Sequence, residues 1–304
     1  MLAAAPHAAA DIALHVSGEI DEHWGWHLVH SAAEGGSVEI IDVLLAAAPE
    51  QASAVTDWGH TPLHVAAGGG QLEAAWCLLQ AAPATAAVAD EDGLLPLHWA
   101  AISRGPAAAA VIELLPAAGA PGLDATTVMG YLPLHLAARH GNVAAVALLL
   151  EAAPTATLRQ SNAGRRPLHV ALRCGCIDAA RLLLPATGLS ADQLLDAQAA
   201  AVPSWFPVDP SLRQPIYADV AARTPLTPAQ WVRVPAPCAG LGAALPAVLA
   251  RSTAEARLLV AHLPAEEQRR LRTGALALAR RQRSLHLALP TPLAERILAL
   301  SCAG

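Results

Sequence analysis

The chain is 304 residues long, with 54% hydrophobic residues, 25 acidic and 19 basic side chains, and a formal net charge of −6 at pH 7. This apolar content excludes disorder over most of the chain, and the negative charge argues against nucleic-acid binding through a broad basic face. The longest apolar stretches, such as Val143–Leu150, end well short of the roughly 20 residues that span a bilayer, so we expect no membrane insertion.

The cysteines and the first residues bear on the cellular compartment. The five cysteines are odd in number and scattered, which indicates free thiols in a reducing compartment, cytoplasmic or nuclear. Residues Met1–Ala10 include no lysine or arginine, so we expect no signal peptide and no secretion.

A seven-residue pattern recurs five times between residues 27 and 172, and its clearest copy is Thr61–Ala67 (TPLHVAA). Each copy has a central histidine, and successive histidines are 34, 34, 37 and 34 residues apart. A glycine lies five residues before each histidine, and a Leu-Leu pair follows each copy. The histidines are His30, His64, His98, His135 and His169. The glycines are Gly25, Gly59, Gly93, Gly130 and Gly164.

The residue types in this pattern favour a helix-turn-helix unit. Proline in the first helical turn costs no hydrogen bond, and glycine allows positive φ in a tight loop. A single unit cannot bury its apolar face, so neighbouring units must stack into a solenoid. The motifs resemble the ankyrin repeat family, with five repeats over about residues 22–185. This resemblance implies an all-α fold, in which a solenoid of helix-turn-helix units with hairpin loops is followed by a helical C-terminal module.

Three stretches depart from the family pattern. Repeat three carries extra residues around Ser103–Ala107, which we place in the turn between its helices. Where the family usually has Gly-Ala-Asp after the second helix, this chain has Ala-Ala-Pro, for example at Ala47–Pro49. Because Leu2–Pro6 matches Leu45–Pro49, we expect residues 1–21 to be the remnant of a preceding repeat or a divergent N-terminal cap.

The family resemblance also implies where partners bind and what the motif histidines do. Ankyrin-like repeats contact partners through their loop tips and the exposed residues of each first helix, on a concave face, while the motif histidines link neighbouring repeats through hydrogen bonds. For Trp24 and Trp26, packing at the N-terminal end is the competing interpretation. Carried over by position, the expected partner-binding residues are Trp24, Trp26, Asp57, Trp58, His60, Glu91, Asp92, Met129, Tyr131, Arg139, Arg165 and Arg173.

Beyond Pro185 the helical period changes. We expect a capping helix and a Pro-rich linker over residues 186–227, then a helical module over residues 228–304. Capping boxes that begin at Ser190, Thr227 and Ser252 predict helix starts. The predicted helices cover residues 191–201, 228–234, 253–263, 265–283 and 292–301.

The last predicted helix begins in a motif of interest. Residues 289–298 (LPTPLAERIL) resemble the opening of an F-box and, more loosely, the end of a suppressor-of-cytokine-signalling box. Both resemblances imply docking onto a ubiquitin ligase, although an ordinary amphipathic helix explains the same residues. The candidate docking residues are Leu289, Pro290, Leu293, Ile297 and Leu298.

Motifs for catalysis, metals and cofactors are missing from the sequence. There is no phosphate-binding Gly-x4-Gly-Lys loop and no Gly-x-Ser-x-Gly elbow. His23, His27 and His30 have a spacing that could ligate a metal, but two of them occupy framework positions of the repeat. We therefore expect no enzyme activity, no cofactor and no metal.

The sequence supports a non-catalytic scaffold that binds an unknown protein partner through the concave face of the repeats. One alternative is a substrate adaptor of a cullin-type ubiquitin ligase, with the C-terminal helices docking the ligase. The other is an enzyme with its catalytic domain in residues 186–304.

Overall fold

The structure is a computed structural model that describes residues 25–119, 121–188, 190–193, 195 and 214–274. The chain forms two compact units, Met1–Thr187 and Gly188–Gly304. Every regular element in the described residues is a helix, which confirms the all-α prediction. None of the described helices is both long and apolar enough to cross a bilayer.

The first unit consists of five helix pairs in the described residues. In each pair a shorter first helix precedes a ten-residue second helix. The first helices are α1 (Leu28–Gly35), α3 (Pro62–Gly69), α5 (Pro96–Ile102), α7 (Pro133–His140) and α9 (Pro167–Arg173). The second helices are α2 (Val38–Ala47), α4 (Leu72–Ala81), α6 (Ala108–Ala117), α8 (Val143–Ala152) and α10 (Ile177–Ala186).

The repeated motif sets both the start and the packing of each first helix. In α3 the side chain of Thr61 accepts a hydrogen bond from the backbone N–H of His64, and Pro62 occupies the first turn. Leu63 and the pair Ala66 and Ala67 are completely buried. The alanines let the neighbouring helices approach closely, so the core of the unit forms from small residues interleaved with leucines.

The Ala-Ala-Pro stretches form short 3₁₀ helices, at Pro49–Ser53, Pro83–Ala87 and Pro154–Leu158. Proline starts each one because its missing N–H would have no helical partner there. In the second of them the hydroxyl of Thr85 donates to the carbonyl of Ala82 at 2.6 Å. The extra residues of repeat three lie between α5 and α6, which is the expected position.

The second unit is also helical. Its core includes Trp231, Leu241 and Leu259, each at most 1% exposed. Two of the three predicted capping boxes form: the Ser190 hydroxyl accepts from the N–H of Gln193, and the Thr227 hydroxyl accepts from the N–H of Gln230. At Ser252 the hydroxyl accepts from the N–H of Glu255, but the Glu255 carboxylate accepts from Leu226 and Arg251 instead. The described helices are α11 (Gln214–Arg223), α12 (Pro228–Trp231), α13 (Leu245–Arg251), α14 (Thr253–Ala261) and α15 (residues 265–274).

Two of these helices differ from expectation. Helix α11 lies inside the segment for which the sequence predicts only a capping helix and a linker, and no helix is predicted at α13. Both carry proline in the first turn, where it is tolerated, although proline is also typical of irregular chain. The predicted helix over 292–301 lies outside the described residues.

Candidate functional site

Each loop between repeats is closed by a side chain that lies three residues before the loop glycine. The hydroxyl of Thr56 accepts a hydrogen bond from the backbone N–H of His60, and Asp90 accepts one from Leu94 at 2.8 Å. Thr127 and Ser161 repeat this contact in the next two loops. These four residues were not predicted from the sequence, although a short polar side chain at a constant offset from the glycine was a visible signal.

Neighbouring loops are joined by backbone hydrogen bonds. The N–H of Glu91 donates to the carbonyl of Trp58 at 3.1 Å, and the N–H of Val128 donates to the carbonyl of Asp92 at 3.2 Å. Gly93, with φ of +74°, allows the second approach, because a Cβ atom there would lie 2.8 Å from the nitrogen of Val128. The loop tips therefore form one row that is tied together along its length.

The motif histidines lie between neighbouring repeats. The Nε2 atom of His64 lies 3.0 Å from the carbonyl oxygen of Leu94, and His30 contacts the carbonyl of His60 at the same distance. His98 and His135 make the corresponding contacts with Ala125 and Arg165. In all five histidines, Nδ1 accepts the backbone N–H of the residue three positions before it.

These contacts fix the protonation state of the rings. A ring that accepts at Nδ1 and donates at Nε2 must be neutral. Burial lowers the pKa of His30, His64 and His135 from 6.5 to about 4, which keeps them neutral at pH 7. The geometry gives the motif histidines a structural task.

A compact group of polar and aromatic side chains lies beside the second and third loops. We call Trp58, His60, Asp90 and Trp99 the indole cluster. The indole N–H of Trp99 donates to Asp90 at 3.0 Å, and the Trp99 ring lies edge-on to the ring of His60 with centroids 4.6 Å apart. The Trp58 and His60 rings are 5.8 Å apart, and Trp58 is 38% exposed.

Trp99 completes the surface of the neighbouring repeat. Trp99 directly follows the motif histidine His98, and its side chain is half-buried. It lies against the end of α3, where a Cβ atom on Gly68 would be only 2.7 Å from Cε3 of Trp99. The indole ring of repeat three therefore occupies the space that a side chain at position 68 would fill.

The other expected partner-binding residues differ in accessibility. Asp57, Glu91, Asp92 and Arg139 are exposed, and Met129 is 61% exposed. The half-buried members of the set are Trp26, His60, Arg165 and Arg173. Trp24 lies outside the described residues.

Tyr131 is a correction to the expected site. It is only 8% exposed and packs with Leu136 and Val170. Leu94 and Ile102 cover the same cluster. The tyrosine thus fills the space between repeats three, four and five, and its ring is not available to a partner.

Trp26 has an anchored ring. Its indole N–H donates to the hydroxyl of Ser31 at 2.9 Å, and its ring centroid lies 5.3 Å from that of His30. Part of its surface is therefore used within the first repeat, as the packing interpretation expects.

Charge is distributed unevenly along the repeats. Between residues 25 and 103 there is no lysine or arginine. The carboxylates in this range are Glu34, Glu39, Asp42, Glu50, Asp57, Glu73, Asp90, Glu91 and Asp92. Repeat three carries one arginine, Arg104, and the other arginines of the array follow it. A partner that lies along the loop tips therefore meets an acidic end and a more basic end.

The described part of the chain was searched for metal-binding clusters and reactive thiols. No three of its His, Cys, Asp and Glu side chains come together in a way that could hold a metal ion. Burial raises the pKa of Cys77 and Cys238 to about 11, which keeps these thiols protonated. The candidate ligase-docking residues, Leu289 to Leu298, lie outside the described residues, so the adaptor hypothesis stays a prediction.

Stacked helix pairs whose loops are joined tip to tip define a repeat protein with an extended interaction surface. A family model for ankyrin repeats in three copies matches the chain over residues 1–84, 29–121 and 97–193. These matches cover more than half of the chain, so the chain belongs to the ankyrin repeat family, as the motifs predicted. Ankyrin repeats indicate a protein-interaction domain. A search of curated proteins found no match to the chain.

Proposed function

We propose that the chain is a non-catalytic scaffold that binds a protein partner across its loop tips and first helices, a surface we call the loop face. The supporting observation is the indole cluster. Its Trp58 ring is partly exposed, and hydrogen bonds hold the Trp58 carbonyl and the Trp99 indole in place. Large aromatic side chains on a rigid support are typical centres of binding energy, because they bury much area and lose little conformational freedom.

The apolar contact area extends along the loop row. Val128 is 67% exposed and Met129 is 61% exposed, at the tip of the loop that follows the indole cluster. Methionine adapts its shape to a partner at low cost. The exposed carboxylates of Glu91 and Asp92 lie on the loop between these two groups and form a polar border.

The uneven charge of the loop face would orient the partner. The acidic repeats one to three attract a basic surface, whereas Arg139 and Arg173 in repeats four and five attract an acidic one. Charge arranged in this way affects the association rate and the choice of partner more than the affinity itself.

The test compares the full chain with two variants as baits in a lysate of the source organism. Trp58→Ala removes the exposed ring of the loop face, and Val232→Ala is the matched control because Val232 is 82% exposed in the second unit. We expect a defined set of proteins to be retained by the wild type and Val232→Ala and reduced at least tenfold by Trp58→Ala. Equal recovery by all three baits would contradict the proposal.

Circular dichroism of both variants completes the test. Because Trp58 is partly exposed, Trp58→Ala should leave the melting temperature nearly unchanged. A drop of many degrees would mean that Trp58 is structural. Recovery of a cullin-type scaffold with the full chain is the result that the adaptor hypothesis predicts.

A further inference from the structure

The second helices of repeats one and two carry an apolar surface that the loop face does not use. A groove of about 450 Å³ lies between α2 and α4, and its lining includes Val38, Leu72 and Trp76. Trp76 is 54% exposed and Ile40, on the same helix as Val38, is 53% exposed. We call this surface the outer groove. An exposed tryptophan beside a groove of this size is typical of an interaction site.

The outer groove is a built feature of the fold. The thiol of Cys77 on α4 donates to the carboxylate of Asp42 on α2 at 3.1 Å and so links the two helices beside the groove. Burial and this carboxylate raise the pKa of Cys77 to about 11, so the thiol stays neutral. On α4 the lining of the groove runs from Leu72 to Cys77, about 7.5 Å along the helix axis, which one to two turns of a docked helix would cover.

Charge around the outer groove selects its occupant. Glu73 on α4 lines the groove and is exposed, and Glu39, which follows Val38 on α2, is exposed as well. No lysine or arginine occurs between residues 25 and 103. A second copy of the chain, seated on the same groove, would bring like charges together. Anionic lipid headgroups would be repelled in the same way.

We propose that the outer groove binds an amphipathic helix of a protein partner, with an apolar stripe flanked by lysine or arginine. The apolar stripe covers Trp76 and Leu72, as in other complexes in which a helix lies in a groove. The basic side chains contact Glu39 and Glu73. This interface is separate from the loop face, so one chain can hold two partners.

The test uses two designed 18-residue helical peptides with the same leucine stripe, one flanked by lysine and the other by glutamate. Fluorescence anisotropy measures the binding of each labelled peptide to the full chain. We expect the lysine peptide to bind at least tenfold more tightly than the glutamate peptide. Trp76→Ala should weaken its binding at least tenfold, while Trp58→Ala, on the loop face, leaves it unchanged.

A charge-reversed variant makes the test specific. Glu39→Lys combined with Glu73→Lys should reverse the preference, so that the glutamate peptide binds more tightly than the lysine peptide. Asp42 is left intact because it contacts Cys77. Circular dichroism establishes that each variant is folded.

Three results would overturn the inference. The first is equal binding of both peptides. The second is binding of the lysine peptide that is lost in Trp58→Ala and kept in Trp76→Ala. The third is a dimer, detected by light scattering, that forms in the wild type and is lost in Trp76→Ala. The proposal that the loop face binds a partner is tested separately, by the lysate comparison of Trp58→Ala with Val232→Ala. The two proposals therefore fail separately.

Discussion

The Nε2 atom of His64 lies 3.0 Å from the carbonyl oxygen of Leu94, thirty residues further along the chain. The opposite nitrogen of the ring accepts the backbone N–H of Thr61 at 3.1 Å. One completely buried side chain therefore satisfies a polar group in its own repeat and another in the next. Because buried polar groups are costly when unpaired, we expect the four motif histidines that make both contacts, His30, His64, His98 and His135, to couple the stability of neighbouring repeats.

Replacing His64 tests this coupling. His64→Ala leaves the N–H of Thr61 and the carbonyl of Leu94 without these contacts and opens a cavity, so we expect a loss of about 2–4 kcal/mol in the free energy of unfolding. His169→Ala is the matched control, because the described residues give His169 only the contact at Nδ1. It should cost about 1–2 kcal/mol. Urea unfolding followed by circular dichroism measures both, and an equal or larger cost for His169→Ala would contradict the coupling.

The same histidines predict a dependence of stability on pH. Burial lowers the pKa of His135 to about 4 in the folded chain, against 6.5 in the unfolded chain. Between these values the unfolded chain binds more protons, so the stabilisation is fully present above pH 6.5 and is lost as the pH falls toward 4. The slope reaches about 1.4 kcal/mol per pH unit for each such histidine.

A variant isolates this effect from the titration of carboxylates. His135→Asn removes one titrating ring, so its stability difference from the wild type should be constant above pH 6.5 and shrink at lower pH. Urea midpoints at pH 7.5, 5.5 and 4.5 measure it. Parallel pH profiles for the two proteins would show that His135 does not titrate as its burial requires.

The repeats could be predicted from the sequence because each signal is local and recurs. Glycine, proline, histidine and paired leucine lie at constant offsets, and each type has one physical role in a helix-turn-helix unit. The 3₁₀ helices could not be predicted in this way, since Ala-Ala-Pro indicates a helix end and does not specify the conformation of the next residues. Helices α11 and α13 were missed because proline at a helix start is locally indistinguishable from proline in a linker.

The candidate site was less predictable, because accessibility depends on neighbours from other repeats. Position alone placed Tyr131 at a loop tip, but residues from repeats three and five cover it. Likewise, the motif does not show that Gly68 of repeat two leaves room for the Trp99 ring of repeat three. In both cases a side chain of one repeat fills space beside another repeat. Such contacts join residues 30 or more positions apart, and a motif that covers a single repeat does not relate these positions to each other.

We expect the effect of Gly68→Ala on stability to reverse its sign when Trp99 is also replaced. Gly68→Ala places a Cβ atom 2.7 Å from the indole ring, so we expect a loss of about 1–3 kcal/mol in stability. In the Trp99→Ala background the space is open, and alanine should instead stabilise helix α3 by about 0.5–1 kcal/mol because of its higher helix propensity. A double-mutant cycle from thermal unfolding measures the coupling, and additive effects would place the two residues out of contact.

In the second unit, the buried carboxylate of Glu255 offers a test of which contacts stabilise the packing of the helices. Glu255 is 6% exposed, accepts the backbone N–H of Leu226 at 2.8 Å and pairs with Arg251 at 2.8 Å. Arg251 also donates to the carbonyl of Ala221, so this pair ties α11, α13 and α14 together. Glu255→Ala leaves the backbone N–H of Leu226 and the partly exposed guanidinium of Arg251 without their carboxylate, and we expect a loss of about 1–3 kcal/mol.

The matched control is Glu266→Ala. Glu266 pairs with Arg270 at 2.6 Å, also across an i,i+4 spacing, but its side chain is 69% exposed. Solvent screens such a pair, so its removal should change stability by less than about 0.5 kcal/mol. Hydrogen–deuterium exchange of the full chain measures both variants through the amides of α13 and α14. Faster exchange there in Glu255→Ala alone is expected, and similar exchange in both variants would mean that the buried pair does not hold the second unit together.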